Sequence, residues 1–292
     1  MRAGVTQGAQ ADTAIIKAHL TALTKTPGFR TYTNLSRLNQ SAEFIKSVFN
    51  SHSDSVQIQE YKAADQVYKN IICSFGTENK KRIIIGAHYD VCGPQQGADD
   101  NATGIGGLLE LARMLKGQKL NYRVDLVAYT LEEPPFYNTE YMGSYVHAKS
   151  LADNKADVYG MVSLEMIGYF RNEKHSQTYP IGILSWIYGN RGNYITLVRK
   201  FGSGKFASRF CDRFKTAKTI RTKKFTGPAS LPGIDFSDHR NYWHFGFSAL
   251  MLTDTAFYRN PNYHQPTDTM ETLDLVRMGK VIDGVFMAVM GL

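Results

Sequence analysis

Lys81–Asp90, KRIIIGAHYD, is the stretch on which the reading of this chain turns. Its centre, Ile83 to Ala87, is an unbroken apolar run rather than an alternating one. A strand covered on both faces has that pattern, and such strands belong to sheets with helices packed above and below. His88 and Asp90 stand directly after the run, where the strand leaves the sheet.

Similar runs recur downstream: VDLVAYT (Val124–Thr130), YGMVSLEMIGYF (Tyr159–Phe170) and FSALMLTD (Phe247–Asp254). Helical segments lie between them. In Ala102–Gly117, Leu108, Leu111, Ala112 and Leu115 share a face, and Gly117 supplies a stop. Tyr141–Ala152 reads as another helix. Upstream, Ile15, Ile16, Leu20 and Leu23 carry helical spacing over Ala11–Leu23, and a second helix is expected over Ser41–Phe49. VQIQEY and VYKNIICSF, separated by the turn-like KAADQ, are β-rich. Arg171–Gly233 is less regular. We expect a strand at Ile181–Tyr188 and helices near Tyr194–Phe201 and Phe206–Phe214. The tail, Thr272–Val289, reads as a helix. This alternation predicts an α/β fold, a three-layer α/β/α sandwich with a mixed, mostly parallel central sheet. One domain is expected over residues 1–292, with residues 1–50 forming a helical region packed on it.

Ligands of such sheets bind beyond the carboxyl ends of the strands. Polar residues of metal-ligand type collect there. His88 and Asp90 follow the first run, and Asp99-Asp100-Asn101 follow the next loop. Glu132 and Glu133 follow VDLVAYT, Glu165 lies in SLEMIGY, and His264 comes after FSALMLTD. Taken singly, these are ordinary features: Asp and Asn cap helices, and paired acids line solvated loops. Glu165 is different, because a carboxylate among Leu164, Met166 and Ile167 is costly without a partner. Imidazoles and carboxylates in this number suit zinc, with one carboxylate shared between two ions and a further one free as a general base.

HYD, GADDN before a helix, a strand ending in EE, then LEMIGY, SDH and YH together resemble the zinc aminopeptidases of the secreted bacterial leucine-aminopeptidase type. Their wider superfamily includes glutamate carboxypeptidase, the transferrin receptor and animal glutaminyl cyclase. The resemblance covers Lys81 to the C-terminus. It implies that His88 and Glu165 bind a first zinc, that Glu133 and His264 bind a second, and that Asp100 bridges them. It also implies a cis peptide bond from Asp100 to Asn101. Asp90 would orient His88, Glu132 would be the general base, and Tyr263 would donate to the developing oxyanion. Asp238 and His239 match the SDH element as site support. Glu165 stands where the family more often has the shorter Asp. After Glu133 the sequence PPFYNTEYMGS is longer and richer in proline than the family's EExGLxGS. The chain is also short for the apical and dimerisation domains of the carboxypeptidase branch.

The expected function is therefore a metallo-aminopeptidase acting on peptides with two zinc ions, one ion being the fallback. Two alternatives remain open: a one-zinc glutaminyl-cyclase-like acyltransferase and a non-catalytic binding protein. No apolar run is long enough to span a bilayer. The polar start MRAGVTQGAQADT shows no signal-peptide core, although the resemblance implies an exported or periplasmic setting. The 3 cysteines, Cys73, Cys92 and Cys211, lack CxxC spacing and read as buried or free thiols. The net charge of +8 is concentrated in Lys200–Lys224. That stretch reads as a solvated helix face followed by a basic strand or loop. A nucleic-acid patch is the less favoured reading, and attraction of acidic peptides to a nearby cleft is a third.

Overall fold

The computed structural model describes residues 10–292. The first part of the polar N-terminal stretch lies outside them.

Arg82–His88 forms β3, and its neighbours explain its apolar run. On one side lies β4 (Arg123–Tyr129), on the other β5 (Val158–Glu165), both parallel to it. Beyond β5 comes β8 (Ala249–Thr253), also parallel. The first two strands, β1 (Val56–Ala63) and β2 (Gln66–Phe75), form an antiparallel hairpin that extends the sheet past β4. On the far side β6 (Ile195–Lys200) runs antiparallel to β8, and β7 (Thr222–Gly227) runs parallel to β6. The order is β1-β2-β4-β3-β5-β8-β6-β7, a single mixed sheet.

Alternation along each strand feeds two cores. Ile83, Ile85 and Ala87 of β3 join Leu126 of β4 and Leu164 of β5 on one face. There they meet α1 (Thr13–Thr24), α2 (Leu35–Asn50), α3 (Gly104–Leu115), α6 (Gly204–Ala217) and α8 (Leu275–Met290). Ile84, Val127 and Met161 point to the opposite face, against α4 (Gly143–Asp153) and α7 (His239–His244). The expected sandwich is the one found. Among the described residues no helix is long and apolar enough to cross a membrane.

Two expectations in the irregular middle are corrected. Tyr194–Phe201 holds a strand, β6, and not a helix: Thr196 and Val198 pair with β8 and β7 at positions where β-branched side chains fit the pleat. Ile181–Tyr188 holds no strand. It contains α5, a single turn over Leu184–Tyr188, with Ile183 and Ile187 exposed and Trp186 89% exposed. The place beside β8 is occupied by β6, and this apolar segment pairs with no strand of the sheet. The basic stretch resolves into α6, which buries Phe206, Phe210 and Phe214 and turns its cations outward, followed by β7.

Candidate metal centre

Because β3, β4, β5 and β8 are parallel, their carboxyl ends share one edge. His88 is the last residue of β3 and Glu165 the last of β5. Glu132 and Glu133 follow β4 by three and four residues. Asp100 lies in a wide, irregular helical turn, Ala98–Thr103, just before α3, and the bond from Asp100 to Asn101 is cis as expected. His264 arrives on the loop after β8. The backbone adopts left-handed conformations at the site itself: Leu131 before the Glu pair, Met166 after Glu165, and His264. Non-glycine residues take that region at a cost, and such cost gathers at sites whose geometry is imposed by their surroundings.

The side chains converge. His88 Nε2 is 3.3 Å from Asp100 Oδ1 and 3.6 Å from Glu165 Oε2. His264 Nε2 is 3.2 Å from Asp100 Oδ2 and 3.2 Å from Glu133 Oε2. Asp100 thus offers one oxygen to each imidazole. Donor atoms bound tetrahedrally to zinc lie about 3.3 Å apart, given bonds of ~2.0–2.1 Å. Each of these separations is close to that edge. His88 Nε2, His264 Nε2 and Glu133 Oε1 are buried without hydrogen-bond partners, which leaves them free for a cation. The residues therefore fit a metal such as zinc.

Electrostatics point the same way. Burial pushes Glu133 up to about 7, with Asp100 adding to the shift. Burial also raises Glu132, and Glu133 and Glu165 add to it against the pull of His88. At His264, burial acts downward but Asp100 and Glu133 outweigh it and lift the imidazole to about 10. His88 is likewise raised despite its burial, by Glu165, Asp100 and Asp90. A crowd of carboxylates holding protons on imidazoles is a site short of positive charge.

The expected supporting residues divide. Asp90 sits 3.6 Å from His88 Nδ1, beyond hydrogen-bond length, and its oxygens accept from the backbone amides of Glu132 and Glu133 at 3.3 and 3.1 Å. It joins the β3 exit to the Glu132–Glu133 loop. Tyr263 stacks on His264 with ring centroids 3.8 Å apart. In the SDH element it is Ser237 that reaches a candidate ligand, donating to Glu165 Oε2 at 2.7 Å. Asp238 is buried, and burial raises it to about 7. His239 turns away: its Nε2–H donates to the Ile234 carbonyl and its ring packs on Trp243.

Sequence reasoning missed several groups. Asp268 accepts from the amides of Asp99 and Asp100 at 2.9 and 3.0 Å and so fixes the bridging loop. Asn101 bonds the Leu164 carbonyl and the Gly104 and Met166 amides, tying that loop to the end of β5. Buried Arg30 donates to the carbonyls of Tyr89, Gln96 and Gly97. Cys92 brings its sulfur within 4.8 Å of ligand atoms of Glu133 and His264, although it read as an ordinary thiol. Position in the sequence offered a hint for Asn101 beside Asp100, for Asp268 four residues after His264 and for Cys92 four residues after His88. Arg30 carries none.

A sheet of this order, with histidines and carboxylates gathered at its carboxyl edge, defines an α/β protein with a candidate metal centre. The chain belongs to peptidase family M28, which it matches over residues 70–289. It is 43% identical over 271 residues to the uncharacterized protein YfbL of Escherichia coli, spanning 90% of this chain and 83% of that one. A probable leucine aminopeptidase of Trichophyton verrucosum is 26% identical over 219 residues, spanning 72% of this chain and 53% of the relative. The chain thus matches about half the length of that fungal protein. Among solved structures, a glutaminyl cyclase of Fimbriiglobus ruber superposes with a TM-score of 0.75 at 18% identity, covering 99% of each chain. At that identity the likeness concerns the fold.

Proposed function

We propose that the chain is a zinc aminopeptidase that releases N-terminal residues from peptides. The observation carrying this reading is the pair of donor sets that share Asp100, each spaced like the edges of a zinc site, with a further carboxylate beside them. His88, Asp100 and Glu165 would hold one ion. Asp100, Glu133 and His264 would hold the other. Zinc bound there would polarise the scissile carbonyl and make water more acidic.

The remaining work falls to the chain's own groups. Glu132 Oε2 is 3.9 Å from His88 Nε2, buried, and raised in proton affinity by that burial. It is suited to take the proton of the attacking water and deliver it to the leaving amine. Asp90 accepts from the Glu132 and Glu133 amides, which holds the backbone that carries this carboxylate. Burial keeps the Tyr263 phenol protonated, available as a donor to the oxygen that gains charge.

Hydrolysis of aminoacyl anilides, with and without a chelator, tests the proposal. Activity is expected to vanish on metal removal and return with zinc. Glu132→Gln should lower kcat by about 10²–10⁴ while retaining metal. Full activity in the chelated protein or in the Gln variant would defeat the reading. The likeness to glutaminyl cyclases motivates a second assay on a peptide beginning with glutamine. Ammonia release with one zinc per chain would favour cyclisation; His88 and Glu165 beside Asp100 favour two ions and hydrolysis.

A further inference from the structure

A cavity of about 820 Å³, counting its open mouth, adjoins the candidate metal centre. Glu165 and Tyr263 belong to its wall, so it opens on the place where a substrate's first residue would lie. Its sides include the rings of Tyr179, Tyr188, Phe257 and Tyr258. Its floor is the face of the sheet, and the register fixes the order of residues across it. Glu165 pairs with Thr253, Thr253 with Thr196, and Thr196 with Lys223. All four line the cavity. They form a polar row crossing β5, β8, β6 and β7, about 14 Å from end to end at ~4.8 Å per strand. The adjacent row, Met251, Val198 and Phe225, is apolar.

The far end of the polar row is unsatisfied. Thr196 Oγ1 is buried with no hydrogen-bond partner. The Lys223 ammonium lies over the Tyr194 ring at 3.5 Å and near that of Tyr188, and among the described residues it has no carboxylate partner. Lys224, next to it, pairs with Asp212 on the outer side. Among the described residues, Lys223 is the one charged group besides Glu165 that lines the cavity. Burial, with Arg221 and Arg259 nearby, lowers its pKa to about 8, which an oxygen acceptor would relieve.

We propose that this cavity takes the side chain of the substrate's N-terminal residue, and that Lys223 selects a long aromatic side chain tipped with oxygen, tyrosine being the natural case. The inference rests on the aminopeptidase reading. Aromatic walls suit a ring, while Lys223 can donate to a phenolic oxygen and Thr196 can accept its hydrogen. A leucine or phenylalanine side chain would leave both floor groups unpaired beneath an apolar cap, and a site with buried polar groups rejects such ligands.

Two readouts test this on the full-length, zinc-loaded protein. In kinetics, kcat/KM for a tyrosine anilide should exceed that for the phenylalanine anilide by roughly tenfold or more, the two differing only in one oxygen. Lys223→Met should bring the ratio near one, and Thr196→Val should lower it. In calorimetry, tyrosinamide should bind more tightly than phenylalaninamide to the wild type, with the preference lost in Lys223→Met. A tyrosine preference that survives both substitutions, or a wild type that prefers leucine, phenylalanine or glutamate, overturns the proposal. If no anilide is cleaved but the amide preference depends on Lys223, the pocket assignment stands and the aminopeptidase reading falls. If anilides are cleaved with no dependence on Lys223, the reverse holds.

Discussion

Ser237 illustrates how a single hydroxyl governs a candidate ligand it does not replace. Glu165 ends β5 among apolar neighbours, and its longer side chain has more rotamers than an aspartate would. Ser237 donates to its Oε2 at 2.7 Å and receives a hydrogen bond from Ser163, also at 2.7 Å. This buried chain fixes the same oxygen that lies 3.6 Å from His88 Nε2, and so sets how Glu165 is presented to a cation. On the two-ion reading, Ser237→Ala should weaken binding of the ion held by His88 and Glu165 by about 10–100-fold, and leave the ion at His264 close to its original affinity. Zinc titration against a competing chelator would read this directly. Two unaltered binding steps would show that Glu165 needs no such support.

At the scale of elements, the sheet tolerates helices on both faces only where the strand surface is shaped for them. Gly160 on β5 is one such place: a Cβ there would meet Phe206 Cδ1 of α6 at 2.1 Å. Phe206 is 1% exposed and packs between Tyr159 and Phe210, so it has nowhere to retreat. Gly160→Ala should therefore cost about 1–3 kcal/mol by overpacking. Gly160 lies at the opposite end of β5 from Glu165, so zinc binding at 25 °C should persist. Urea denaturation beside a zinc titration would separate the two effects. The same strand shows what sequence alone can convey. The apolar runs of β3, β4, β5 and β8 carry their own burial pattern, and the candidate ligands stand at their ends by the logic of parallel sheets. β6 and α5 were misread because both are short apolar segments of similar composition. What separates them is which one lies beside β8, a tertiary fact. Arg30 was invisible for a related reason, and the role of Asp268 could not be read from its position alone: both bond backbone atoms of distant loops.

For the whole molecule, the candidate site is where separate elements are joined. Its residues come from β3, the loop after β4, the end of β5, the turn before α3 and the loop after β8. On the two-ion reading each ion would tie three of them, and the shared Asp100 would link all five; anything that binds only the folded state stabilises it. Zinc should therefore raise the melting temperature, and pH sets by how much. His264 is lifted to about 10 by Asp100 and Glu133, which overcome its burial, so in the metal-free protein it carries a proton throughout the neutral range. Burial and Asp100 lift Glu133 to about 7, so it gains a proton as pH falls below that value. Each bound proton must leave before zinc takes its place. Near pH 8 competition comes mainly from the imidazoles; near pH 6 the Glu133 proton is added. Zinc affinity should thus fall as pH falls, and more steeply below about 7. The thermal shift produced by a fixed zinc concentration should be smaller at pH 6 than at pH 8 in differential scanning calorimetry. In Glu133→Gln, which holds no titrating proton at that position, the overall affinity should be lower but the added steepness below pH 7 should disappear. An equal thermal shift at both pH values would mean that the ion does not displace these protons, and that the carboxylate–imidazole cluster is held together by its own charges instead.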